Sequence, residues 1–153
     1  MTASSGAFRV DTLDEAYTSL FDRETAAPRW PLLVDRVNVS LARARRRNRQ
    51  IAVFVLQHPR GFDQRPVTPA ELVSALQGCL RSDDTVARLT DSMFAVVCND
   101  IDQDPDAAGI ARRVLHASGV IAELGVALGT PNETAEALVN RAIRRATSAV
   151  ASL

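Results

Sequence analysis

At 153 residues, 46% of them apolar, the chain can bury one ordinary hydrophobic core and is expected to form a single domain. Eighteen basic and eighteen acidic side chains cancel, so no net field draws it toward nucleic acid or an anionic membrane. The basic residues are all arginines, which reads as compositional bias rather than a binding signal.

Residues 1–10 show no periodic pattern and are expected to be flexible, and Met1 to Arg9 lacks the long apolar segment of a signal peptide. Thr12 with Glu15 makes a capping box for a helix over 11–21, whose face carries Leu13, Tyr17, Leu20 and Phe21. Pro31 suits the first turn of the next helix, along which Leu33, Val37, Leu41 and Ala44 repeat. That helix ends in Arg43, Arg45, Arg46, Arg47 and Arg49, arginines that complement its dipole or, on a sharper reading, bind phosphate.

Ile51 to Leu56 is an unbroken apolar run, the pattern of a central strand buried on both faces. Thr68-Pro69-Ala70-Glu71 combines a capping box with proline at the first helical position, and Leu72, Val73, Leu76, Cys79 and Leu80 supply the stripe that follows. Thr85 to Leu89 and Met93 to Cys98 read as a hairpin, with a disordered turn expected over Asn99 to Gln103. Asp104-Pro105 opens a helix bearing Ile110, Val114 and Leu115, which Gly119 closes in a left-handed conformation.

Val120 to Leu128 alternates as a strand, and a last helix from about Thr134 carries Leu138, Val139, Ala142, Ile143 and Ala146. The resulting order, β-α-β-β-α-β plus flanking helices, is that of an α+β, ferredoxin-like domain, with helices expected on one face of the sheet. Cys79 and Cys98 read as buried thiols with no disulfide, and His58 and His116 lack neighbours at metal-ligand spacing. With no apolar run of membrane-spanning length, a cytoplasmic protein without cofactor or metal is expected.

The stretch Leu80 to Val97 resembles the core of a GGDEF domain, the bacterial module that makes cyclic di-GMP. In that family a strand ending in Arg-Leu precedes a Gly-Gly-Asp/Glu-Glu-Phe turn and a second apolar strand. Here Arg88-Leu89 precedes Thr90-Asp91-Ser92-Met93-Phe94, and of the signature only Phe94 survives. The likeness extends from Asp22 to about Val150, making 22–153 a degenerate GGDEF-like domain. Of the family's opening D-x-L-T motif, Asp22, Thr25 and the common Pro28 match, whereas the leucines, asparagine and final arginine do not.

Active members hold magnesium with two aspartates just after the central strand, where this chain has Gln57, His58, Pro59 and Arg60. Two-metal nucleotidyl transfer needs hard oxygen ligands, which these residues do not supply. The guanine-recognising stretch after Phe62 is shortened, and the lysine of the family's C-terminal motif is missing from Ala142 to Val150. The resemblance therefore implies no catalytic residues and no diguanylate cyclase activity. Asp91 at the turn reads as a residue bonding its own backbone rather than as a cation ligand.

Many members also carry R-x-x-D at the end of the helix before the hairpin, forming an inhibitory site for cyclic di-GMP. Arg81-Ser82-Asp83-Asp84 stands at that offset. Guanidinium can meet guanine or phosphate while aspartate accepts from guanine N–H groups. The resemblance thus implies a cyclic di-GMP receptor using Arg81 and Asp84, with a second arginine such as Arg88 or one from a neighbouring subunit. The plainer alternative is an inherited helix end on a ligand-independent scaffold for a protein partner or a homodimer. No sensor, receiver or phosphodiesterase domain fits in this length, so input is expected from a partner or the short first helix.

Overall fold

The computed structural model describes residues 17, 19–57, 67–102, 104–119, 123–130 and 132–151. Among the described residues four complete helices and four strands follow in the order α1 (Trp30–Arg47), β1 (Gln50–Gln57), α2 (Pro69–Gly78), β2 (Thr85–Arg88), β3 (Met93–Ile101), α3 (Asp104–Ser118), β4 (Glu123–Leu128) and α4 (Ala135–Ala151). The strands form one antiparallel sheet in the order β2-β3-β1-β4. This is the expected βαββαβ arrangement, with β1 and β3 in the centre.

The cover of the sheet differs from expectation. Helices lie on both faces, not one: α2 and α3 pack against Ala52, Phe54, Leu56, Val86, Phe94, Val96 and Cys98, while α1 and α4 pack against Val53, Val55, Ala87, Ala95, Val97 and Ala127. The cause is legible in β1, since a strand apolar at every position from Ile51 to Leu56 needs partners on both sides, and all six residues are buried.

Local signals place the helix ends. Asn48 adopts a left-handed conformation (φ 53°) after α1, and Arg49 N donates back to Ala44 O at 2.9 Å, closing the helix with a Schellman-type turn. Both halves of the Thr68 capping box form at α2, Glu71 N to Thr68 Oγ1 and Thr68 N to Glu71 Oε1, each at 3.1 Å. Gly119 is left-handed, as expected (φ 62°). The first capping box, Thr12 with Glu15, and residues 120–122 lie outside the described residues; Tyr17, Ser19 and Leu20 are helical.

The expected disordered turn at Asn99 is instead strand. β3 continues to Ile101, and one extra residue enters it between the pairs Ala52–Cys98 and Gln50–Ile101. The extra residue is absorbed as a β-bulge in which Asp100 takes φ 56°, a conformation aspartate tolerates. Asn99 is consequently buried rather than mobile.

Cys79 and Cys98 are free thiols. Burial raises the pKa of both, so neither is poised as a thiolate nucleophile. No described helix is long and apolar enough to cross a membrane.

Candidate functional site

β2 runs parallel to β1, so the residues before it and those after it lie at opposite ends of the sheet. Arg81 and Asp84 stand at one end. Arg88 and the turn 89–93 stand at the other, which separates Arg88 from the motif it was expected to complete.

At the turn, the geometry is closed by hydrogen bonds. Leu89 N donates to Met93 O at 2.8 Å, Thr90 and Met93 exchange longer backbone bonds, and Ser92 N reaches Thr90 Oγ1 at 3.3 Å. None of the residues from Thr90 to Phe94 has a positive φ, so the turn adopts a form that needs no glycine. The cavity beside it, lined by Asp22, Arg29, Arg88, Leu89, Thr90 and Asp91, measures about 110 Å³. Ligand pockets typically run from about 300 Å³ upward, and this one is far smaller.

Gln57 ends β1 beside this turn, and its side-chain amide donates to Ser92 Oγ at 3.0 Å. Gln57 is one of the positions at which the family resemblance places metal ligands. A neutral amide and hydroxyl bonded to each other offer no anionic oxygen and do not fit a divalent cation. His58, Pro59 and Arg60 lie outside the described residues. Among the described residues there is no group of three His, Cys, Asp or Glu side chains able to hold a metal ion.

Arg88 is 8% exposed and is committed within the chain. Its Nη1 donates to Asp22 Oδ2 at 3.1 Å and to Glu24 Oε1 at 2.7 Å, its Nη2 donates to Asp91 O at 2.9 Å, and its guanidinium lies 5.5 Å from the centre of the Phe94 ring. Asp22 in turn accepts from Thr25 N and Oγ1, which ties the segment before α1 into a tight turn. Arg88 N donates to Pro28 O, so the same segment also covers the outer edge of β2. Phe94, the surviving signature residue, is thus the platform on which Arg88 rests. The arginine expected to contact ligand is a structural tie.

The other end of β2 holds the Arg-Ser-Asp-Asp motif. Asp84 Oδ2 accepts from Arg81 N and Oδ1 from Asn99 N, both at 3.0 Å, and Asp84 N donates to Arg81 O at 3.0 Å. Asn99 Nδ2 donates to Asp83 O at 2.8 Å, so the bulged residue of β3 fixes the motif from behind. Arg81 is exposed, with a long 3.4 Å contact from Nη2 to Asn99 O as its side-chain anchor. Gln77, Leu80, Arg81, Ser82, Asp84 and Val86 line a cavity of about 250 Å³ here.

Arg113, exposed on α3, acts electrostatically on both Cys79 and Cys98, and Arg81 acts on Cys98 as well. The nearness of Arg113 to these thiols depends on α3 packing beside α2, which no local pattern announces.

No family model and no curated protein matches the sequence. Solved structures do. A sensory box/GGDEF family protein from Caulobacter crescentus superposes with a TM-score of 0.76 at 24% identity, over 88% of this chain and 99% of that one. The diguanylate cyclase SiaD from Pseudomonas aeruginosa, solved with its activator SiaC, gives 0.72 at 21% identity, over 99% of this chain; this chain spans 65% of SiaD. The coiled coil and GGDEF domain of DgcB from Caulobacter crescentus, solved with cyclic di-GMP, gives 0.67 at 16% identity, over 99% and 88%. The fold of this chain is that of a GGDEF domain.

Proposed function

We propose that this GGDEF-fold domain makes no cyclic di-GMP and binds it instead, at Arg81 and Asp84. The observation that carries the reading is the posture of the motif. Arg81 projects from a turn that Asp84 and Asn99 hold rigid, so the guanidinium is presented without cost to the fold. Each Asp84 oxygen accepts one backbone N–H, and a carboxylate oxygen has room for a second donor such as guanine N1–H or N2–H. The 250 Å³ cavity is too small to enclose a dinucleotide, so the ligand would lie across the surface.

Loss of synthesis rests on the other end of the sheet, where Gln57 and Ser92 bond to each other and the adjacent cavity has little volume. Purified protein incubated with GTP and magnesium or manganese should release no cyclic di-GMP. Product formed in proportion to protein concentration would overturn this half of the proposal.

The second reading is a ligand-independent scaffold for a protein partner, and one observation favours it. Both Asp84 oxygens already serve the fold, which alone accounts for the aspartate of the motif. Calorimetric titration with cyclic di-GMP, beside GTP and an unrelated dinucleotide, separates the two. Saturable, selective binding supports the receptor; no saturation at tens of micromolar leaves the scaffold.

A further inference from the structure

We infer that the outer edge of β4 is a docking strand for an extended segment of a partner protein in which apolar and acidic residues alternate. Among the described residues β4 is the last strand of the sheet. Gly129 N donates to Ile51 O, and from there the register sets Ala127 opposite Val53 and Gly125 opposite Val55. In an antiparallel ladder these are the residues bonded to β1, so Val126 and Leu128 point their backbone groups outward.

Two arginines of α4 occupy that edge. Arg145 Nη1 donates to Val126 O at 2.6 Å and Arg141 Nη2 to Leu128 O at 2.5 Å. Arg141 also pairs with Glu133 at 2.8 Å, whereas Arg145 has no carboxylate partner among the described residues. Guanidinium on a bare carbonyl covers the edge against indiscriminate pairing. It also leaves a positive charge that a carboxylate would satisfy better.

The two faces beside the edge are unlike. On one, α4 lies directly on the strand: a Cβ at Gly125 would stand 2.1 Å from Ala142 O. On the other, α3 presents Ala107, Ala108 and Ala111 among the described residues, and an apolar cavity of about 580 Å³ opens between them and Val126 and Leu128, with both arginines at its rim. A strand added to β4 would direct its alternate side chains into this cavity, because side chains on one face of a sheet recur every second residue. Acidic residues on the same segment would draw Arg141 and Arg145 off the carbonyls and free those acceptors for its main chain.

Charge argues against a second copy as the occupant, since two such edges face to face would bring like arginines together. The inference does not depend on nucleotide binding.

The test uses the full chain and a labelled, end-capped octapeptide of alternating valine and glutamate, with a valine–lysine octapeptide as control, followed by fluorescence anisotropy. Saturable binding of the acidic peptide alone is expected, weakened more than tenfold by Arg145→Glu. Val126→Pro should abolish it, since the N–H it removes faces outward and the β1 ladder does not use it. Ala108→Trp, which fills the cavity from an exposed helix position, gives the same loss if the proline variant fails to fold. Absence of saturable binding up to roughly 1 mM, or equal binding of both peptides, would overturn the inference. So would binding unchanged in folded Arg145→Glu and Ala108→Trp, or a wild-type dimer in sedimentation that Ala108→Trp dissolves.

Discussion

Arg88 and Asp22, 66 positions apart, meet at 3.1 Å over the edge of β2 and fasten the segment before α1 to the hairpin. Three further contacts converge on the same guanidinium, from Glu24, Asp91 and the Phe94 ring. Replacing Arg88 by Met keeps the apolar stem and removes the charge, leaving Asp22 partly buried without this partner. Breaking such a pair should cost roughly 2 kcal/mol, the partial exposure of Asp22 moderating the penalty of a fully buried charge. Urea unfolding of Arg88→Met measures it; an unchanged midpoint would mean that the tie contributes nothing to the fold.

The same pair sets an acid limit. Burial raises the Asp22 carboxyl, but hydrogen bonds from Thr25 and Arg88 outweigh it and hold the group below its ordinary value of 3.8. Glu133, bonded to Arg141 and Thr130, is likewise held below 4.5 against its own desolvation. A depressed carboxyl stabilises the fold fully above its unfolded value, and that contribution fades as pH falls through the lower folded value. Stability should therefore drop in acid. Asp22→Asn should flatten the dependence between roughly pH 5 and 3, as read from unfolding midpoints.

Thr68→Ala removes the acceptor for Glu71 N and one half of a reciprocal cap on α2. The expected loss is about 1 kcal/mol, measurable by denaturant unfolding. Because α2 ends at the Arg81 turn, ligand binding should survive the substitution in the folded fraction.

Gly125→Ala is a severe change made by one methyl group. Its Cβ would meet the α4 backbone, Ala142 O at 2.1 Å and Ala146 N at 2.4 Å, where no flexible side chain can yield. A loss of about 3 kcal/mol or more is expected. A thermal melt within a few degrees of wild type would show that α4 can lift off β4.

The fold was largely legible because its signals are local. Pro31, the Thr68–Glu71 box, Gly119 and the apolar run of β1 each act on neighbouring residues. What escaped detection depends on partners far along the chain. Asn99-Asp100 is polar and reads as a turn, yet a bulge opposite β1 buries Asn99 against Asp83 and Asp84. Arg88 sits in a β2 too short to show its facing, so nothing nearby reveals Asp22 as its partner. The candidate site was half visible: Arg81 and Asp84 stand together at one turn, whereas Arg88 belongs to the opposite end of the sheet.

The central claim is that Arg81 is held out for a nucleotide rather than for the fold. Isothermal titration of cyclic di-GMP into wild type and Arg81→Ala tests it most directly. A charge-assisted contact contributes roughly 1.5 to 3 kcal/mol, so the variant should bind more than tenfold more weakly with its unfolding midpoint nearly unchanged. Equal affinity in the two proteins, or no saturable binding by wild type at tens of micromolar, would contradict the account.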